Sequence, residues 1–240
     1  MEGSTARLTV VVPVYNEEES LARLGEALST WLARTPIDAR VLFVNDGSTD
    51  RSAEAIEQLC AASPRFGFLH LRRNDGLSTA LKAGFDHVTT PYAGYIDADL
   101  QTSPDDLDAL MEFAADHDLV VGVRKERRDG FVKKVSSRIA NAIRRSFTHD
   151  GVSDTGCPLK IIRTDVARRI PFFKGMHRFL PALVLLHGGR VKEVPVRHFP
   201  RLAGKPKYHL WNRLLGPAAD LLAFRWMRSR TIKYEVAKQG

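Results

Sequence analysis

At 240 residues, with 44% hydrophobic and 27% charged content, the chain is long enough to bury about 70% of its unfolded surface without staples. Its two cysteines, Cys60 and Cys157, have no paired spacing and suggest neither a disulfide framework nor a zinc site. The net charge of +8 is divided: residues 1–120 hold 9 Lys+Arg against 20 Asp+Glu, and residues 121–240 hold 27 against 8. An acidic half would repel a phosphate backbone, which argues against nucleic acid as a partner. No apolar run approaches the roughly 20 residues needed to span a bilayer. The opening "MEGSTARLTVVVPV" lacks a basic region followed by an apolar core, so a soluble or membrane-surface chain that is not exported is expected.

In chain order, "LTVVVPVY" (8–15) reads as a strand, followed by a helix with Leu21, Leu24, Leu28 and Trp31 or Leu32 on one face. "ARVLFVND" (39–46) is a second strand, and a helix from about 51 turns Ile56 and Leu59 inward. "FGFLHLRRN" (66–74) is a third strand, and Leu77, Leu81 and Phe85 mark a third helix. "YAGYIDADL" (92–100) is a fourth strand. After it, Ser103-Pro104-Asp105-Asp106 supplies a cap, a proline for the first helical turn and acids for the positive end of the helix dipole. "DLVVGVR" (118–124) is a fifth strand. Apolar strands alternating with amphipathic helices predict a mostly parallel sheet covered on both faces.

In the second half, a basic helix is expected over about 131–147, with Val132, Val135, Ile139 and Ile143 on one face. A short strand near 159–162, a helix around 177–187 and the strand "RVKEVPVRHF" (190–199) follow. The loop "PRLAGKPKY" then leads to a C-terminal helix over about 208–230. No internal repeat is evident.

Ligands of such sheets bind beyond the carboxyl ends of the strands. Those ends carry Tyr15-Asn16-Glu17, Asn45-Asp46-Gly47-Ser48, Asn74-Asp75-Gly76 and Asp97-Ala98-Asp99. Two carboxylates one residue apart, at the end of a buried strand, call for a counter-charge. A divalent Mg²⁺ or Mn²⁺ would supply it through hard oxygen ligands shared with substrate phosphates, and Gln101 offers a further neutral oxygen. By itself Asp-x-Asp is more often the mark of a solvated turn; its place after an apolar strand, beside three other polar strand ends, reverses that and favours the cation.

"VVPVYNEEESL", "VNDGSTDRS" and "YIDADLQTSPDDL", in that order and at those intervals, resemble the nucleotide-sugar domain of glycosyltransferase family 2. "GVRKERRDGFVKKVSSRIAN", "VSDTGCPLK" and "MHRFLPALVLLHGGRVKEVPVRHFPRLAGKPKY" narrow the resemblance to the polyprenyl-phosphate glycosyltransferases, the group containing dolichol-phosphate mannosyltransferase. The resemblance spans about residues 8 to 230. It implies an α/β GT-A fold and one catalytic domain over 1–230, with a nucleotide-binding half (about 8–124), an acceptor half (about 125–207), a basic amphipathic helix (about 208–230) and a tail (231–240).

Carried onto matching positions, it implies that Pro13, Tyr15, Glu17, Val44 and Asp46 line the nucleobase and ribose pocket. Asp97, Ala98 and Asp99 would meet the ribose and diphosphate. Asp97, Asp99 and Gln101 are the candidate metal ligands, with Asp99 and Gln101 the pair implied by the family. Arg201 and Lys207 would clamp the diphosphate, and Arg124 would approach the sugar phosphate. Arg124, Arg127, Arg128, Ser136 and Arg138 form a candidate acceptor-phosphate cluster, suited to charge-assisted, partly bidentate bonds. A phosphate acceptor is already anionic and attacks without a base, whereas a hydroxyl acceptor needs one. Asp154 is the nominee for that base, or else the residue that orients the acceptor-site cations. His177 and Arg178 are candidates to face the sugar, or simply to start a helix.

The family's loop usually reads Gly-x-Ser-Lys-Tyr, whereas this chain has Gly204-Lys205-Pro206-Lys207-Tyr208, and Pro206 stiffens it. Asn45 stands where an Asp is frequent. In the C-terminal helix, Trp211, Leu214, Leu215, Ala218, Leu222 and Trp226 share a face flanked by Arg213, Arg225, Arg228, Arg230 and Lys233. That pattern suits an interfacial helix on anionic lipid at the cytoplasmic membrane face, a helix packed on its own domain, or the docking site of an integral membrane subunit.

Overall fold

The computed structural model describes residues 7–124, 146–148, 150–200, 215–232 and 238, with side chains in the last helix from 219 onward. β1 (Arg7–Val14) is buried from Leu8 to its end. It hydrogen-bonds in parallel to β2 (Asp38–Asn45) on one side and β4 (Tyr92–Tyr95) on the other. β3 (Phe66–His70) extends the sheet beyond β2, also in parallel. The full order is β3-β2-β1-β4-β6-β5-β7, with β5 Leu119–Arg124, β6 Lys160–Arg163 and β7 Val191–Val196. β6 runs antiparallel to both neighbours, whereas β5 and β7 pair in parallel. Consequently the start of β6, Lys160, arrives at the edge where the other strands end.

Helices cover both faces, as the alternation predicts. α1 (Glu18–Arg34) and α2 (Ser52–Ala62) pack with α4 (Asp106–Met111) on one face. Leu21, Leu24, Leu28 and Trp31 of α1 are at most 1% exposed, each contributing roughly 1.5–3 kcal/mol of burial. On the other face lie α3 (Leu77–His87), α5 (Thr164–Arg169), α6 (Leu180–Leu186) and the inner side of α7 (Leu215–Arg230).

Several expected elements differ in extent. The fourth strand ends at Tyr95 rather than near residue 100. The chain curls there because Gln101 N–H donates to Asp99 Oδ1 (3.1 Å) and Leu100 takes a left-handed φ of 56°. The helix expected at 177–187 is a 3-10 turn, Met176–Arg178, followed by α6, with a break at Phe179 ahead of Pro181 in the first helical turn. α5 is an element the sequence pattern did not suggest. Of the basic helix expected at 131–147, only residues 146–148 fall among those described, and they are helical.

α7 resolves into two faces. Phe224 is 1% exposed and stacks on Phe179 with ring centroids 5.6 Å apart, flanked by Leu221 and Met227. Leu222 and Trp226 point outward, 63% and 66% exposed. Gly175, before the 3-10 turn, has φ +90° and lies where any Cβ would run into the Asp220 carboxylate of α7. The last helix is thereby keyed to the turn that carries His177.

Candidate active site

The first three strand ends are laced into one rigid rim. Asn16, at φ 51°, donates its N–H to Ser48 Oγ (3.0 Å) and accepts the Thr49 N–H on Oδ1 (2.8 Å). Glu17 N–H donates to Ser52 Oγ (2.9 Å). Asp46 accepts from Asp75 N–H (3.1 Å), Gly76 N–H (2.8 Å) and Asn74 Nδ2 (2.9 Å), so its carboxylate holds the loop after β3. Burial raises its pKa, and the two N–H groups pull the other way.

At the centre of the edge, Tyr95 Oη donates to Asp97 Oδ1 at 2.6 Å. Across the antiparallel pair, Tyr95 is in register with Lys160. The Lys160 ammonium lies 5.5 Å from the Tyr95 ring centroid. It donates to the carbonyls of Thr155 (3.4 Å) and Cys157 and is only 3% exposed. Beyond it, Arg124 at the end of β5 forms a bidentate pair with Asp154, Nε to Oδ2 at 2.7 Å and Nη2 to Oδ1 at 2.8 Å. Both side chains are about one tenth exposed. The structure thus brings Asp97, Asp99, Arg124 and Asp154 to one edge and adds Lys160, which the sequence reading missed.

On the far wall, His177 Nδ1 is 2.9 Å from Ser78 Oγ, which also accepts the Gly175 N–H (3.1 Å). His177 keeps some exposed area, yet it is densely surrounded. Burial, then the charges of Arg178 and Lys160, push its pKa down to about 3. A folded-state value below the ordinary 6.5 means that the native state binds fewer protons than the unfolded chain below that pH. Stability is therefore unaffected by this group above pH 6.5 and falls as pH drops, by at most about 1.4 kcal/mol per unit. In urea titrations at pH 6.5 and 5, His177→Asn is expected to lose about 1–2 kcal/mol less than the native chain.

Of the residues assigned to the nucleotide pocket, Tyr15 and Glu17 are half-buried at the rim, and Pro13 is buried within β1. Val44 is fully buried, with its side chain packed toward Gly84 of α3 in the core. Ala98 is likewise packed in the core, 4% exposed. Arg127, Arg128, Ser136, Arg138, Arg201 and Lys207 lie outside the described residues. At the end of the described stretch that follows β7, the Gln101 carbonyl accepts from Phe199 N–H (2.9 Å) and His198 Nδ1 (3.1 Å).

The donor set suits a hard divalent cation. Asp99 is 9% exposed and its carboxylate is oriented by the Gln101 N–H. Among the described residues no three His, Cys, Asp or Glu side chains converge as a metal cage. Mg²⁺ and Mn²⁺ typically take one or two protein carboxylates and complete their shell with water and substrate phosphate.

The family model described as Glycosyl transferase family 2 matches residues 9–171. The chain belongs to that family. Within it, the chain is 34% identical over 219 residues to the undecaprenyl-phosphate 4-deoxy-4-formamido-L-arabinose transferase of Edwardsiella ictaluri, covering 90% of this chain and 66% of the relative. It is 36% identical over 209 residues to the protein of the same description from Sodalis glossinidius, covering 85% and 63%. The chain thus spans a little under two thirds of the length of these relatives.

Among solved structures, a mannosyltransferase from Pyrobaculum calidifontis in complex with GDP-Man and Mn²⁺ superposes with a TM-score of 0.69. It is 20% identical and covers 97% of this chain and 67% of its own. Glucosyl-3-phosphoglycerate synthase from Mycobacterium tuberculosis, with Mn²⁺, UDP-glucose and phosphoglyceric acid, gives 0.68 at 15% identity, covering 95% and 81%. The family 2 chain therefore has the GT-A fold expected of it.

Proposed function

We propose that this family 2 glycosyltransferase moves one sugar from a UDP- or GDP-linked donor to a polyprenyl phosphate, with inversion, at the cytoplasmic face of a membrane. The observation that carries this reading is the bidentate Arg124–Asp154 pair. A hydroxyl acceptor would need a base, and its nominee spends both carboxylate oxygens on a guanidinium. The same pair fixes a cation at the end of β5, where an acceptor phosphate is expected. The acceptor named for both curated relatives, undecaprenyl phosphate, supports that class.

Asp99, with Gln101, would hold Mg²⁺ or Mn²⁺ against the donor diphosphate, and Asp97 would face the ribose. The bound ion supplies electrostatic stabilisation of the leaving diphosphate. Tyr15, Glu17 and Asp46 frame the nucleoside end, with Asp46 acting by holding the loop at 74–76. Arg201 and Lys207 are assigned by resemblance to clamp the diphosphate as charge develops. The acceptor phosphate, oriented by Arg124 together with Arg127, Arg128, Ser136 and Arg138, attacks the anomeric carbon opposite the departing diphosphate. The test is a panel of labelled UDP- and GDP-sugars with undecaprenyl phosphate and Mn²⁺, scored for label in the lipid phase; label with none of the donors refutes the reading.

A lipid acceptor places the protein at a bilayer surface. Among the described residues, no helix is long and apolar enough to cross a membrane. The outward side of α7 presents Leu222 and Trp226, and Ile232 follows, 86% exposed, with Arg225, Arg228 and Arg230 exposed beside them. Apolar anchors bordered by cations suit an anionic headgroup layer. Vesicles containing phosphatidylglycerol are expected to bind the protein, and Leu222→Ala with Trp226→Ala to weaken binding at least about tenfold. Absence of binding to protein-free vesicles would assign this face to an integral membrane subunit instead.

A further inference from the structure

Ser78 and His177 make a contact that the proposed reaction leaves unused. Ser78 Oγ accepts the Gly175 N–H (3.1 Å) and lies 2.9 Å from His177 Nδ1. A serine hydroxyl has one proton to give, and among the described residues Nδ1 is the acceptor that it meets. Ser78 therefore donates to Nδ1, and the neutral imidazole carries its own proton on Nε2. The turn behind this contact is braced, because Gly175 sits at φ +90° against the Asp220 carboxylate of α7.

Among the described residues, Nε2–H has no protein acceptor, yet it is not sealed in. The one buried side-chain polar atom without a partner there is Thr102 Oγ1, so Nε2 keeps an opening to solvent. Its surroundings place it at the site. Ser78 stands in the first turn of α3, directly after the loop 74–76 that Asp46 holds. Met176 and Phe179, which flank the His177–Arg178 pair, pack in the same cluster as Tyr95, whose hydroxyl holds Asp97. The charge of Lys160 also reaches the imidazole. The open nitrogen thus belongs to the wall joining the nucleoside end of the rim to the Asp97 edge, along which the sugar of a bound donor would lie.

We propose that His177 donates from Nε2 to a hydroxyl of the transferred sugar and so selects the donor, with Ser78 as the positioning residue that fixes the tautomer. This rests on the proposed donor chemistry. Burial and the charges of Arg178 and Lys160 keep the ring uncharged. An uncharged donor suits a neutral sugar, whereas an imidazolium there would repel the divalent ion accompanying the diphosphate. A purely structural histidine would tie the 3-10 turn to α3 and be indifferent to the sugar.

The experiment compares Mn²⁺-dependent binding of UDP and GDP with that of the UDP- or GDP-sugar selected in the labelled panel, on the native chain, His177→Asn and His177→Gln. Asparagine can still accept from Ser78 but loses the Nε2 donor; glutamine places an amide N–H near where Nε2–H stood. His177→Asn is expected to weaken nucleotide-sugar binding about three- to tenfold and to leave the bare diphosphate within about twofold of native. His177→Gln should recover most of the difference. Equal losses for the nucleotide sugar and the bare diphosphate, or no loss for either, overturn the proposal. The tautomer is read separately by ¹⁵N NMR of histidine-labelled protein, with His177→Asn identifying the resonance. A proton on Nε2 is expected, retained in Ser78→Thr and shared between the two nitrogens in Ser78→Ala; a proton on Nδ1 of the native chain overturns the assignment. Should neither UDP nor GDP bind with Mn²⁺, the donor reading fails and the sugar contact with it, while the tautomer stands or falls on the NMR alone.

Discussion

Asp99→Asn is expected to lower turnover by about 10²–10³-fold while leaving the fold intact. Asparagine retains the Oδ1 that accepts the Gln101 N–H at 3.1 Å, so the turn after β4 persists and the melting temperature should shift little. What would be lost is the negative charge proposed to hold the cation against the diphosphate. Gln101→Ala removes only a neutral oxygen and should cost far less, because the backbone atoms of Gln101 make the bonds to Asp99, His198 and Phe199. Initial rates at saturating Mn²⁺, with circular dichroism as the control, check both. Turnover of Asp99→Asn within a few-fold of native would remove this carboxylate from the metal site.

Asp154→Ala should be the most destabilising single change at the site. It leaves the Arg124 guanidinium uncompensated where only about a tenth of it is exposed, a situation that typically costs about 3–5 kcal/mol. For a chain of this size that corresponds to a fall of roughly 10 °C in melting temperature. Combining Arg124→Met with Asp154→Leu exchanges the pair for apolar bulk and should recover most of the stability. Activity should not return, because the guanidinium at the acceptor end is gone. Should Asp154→Asn instead abolish turnover with stability and acceptor KM unchanged, Asp154 would be a base and the acceptor a hydroxyl.

The nucleotide-binding half was legible because its signals are local. The spacing of Leu21, Leu24, Leu28 and Trp31 turns one stripe of α1 inward, and each polar strand end follows an apolar run. Asp97 and Asp99 raised the question of a counter-charge, and a divalent ion was the only source that spacing along the chain could suggest. What that spacing did not show is Lys160, sixty residues on, brought to the same edge by an antiparallel strand whose direction "CPLKII" does not encode. Its signal was a lysine set among Leu159, Ile161 and Ile162, all buried; in a central strand such a charge needs a partner. In α7, apolar residues occupy both sides, so that membrane contact and domain packing both looked plausible. The structure gives Phe224 to the domain and leaves Leu222 and Trp226 outside.

The chemical bond formed in the product tests the account most directly. Purified protein, Mn²⁺, the active nucleotide sugar and undecaprenyl phosphate should yield a lipid whose mass equals acceptor plus one sugar. Its label should be released by mild acid, with one nucleoside diphosphate formed per sugar transferred. Undecaprenol, lacking the phosphate, should remain unmodified. Transfer to undecaprenol at a comparable rate, or a product with the sugar on any atom other than a phosphate oxygen, would contradict it.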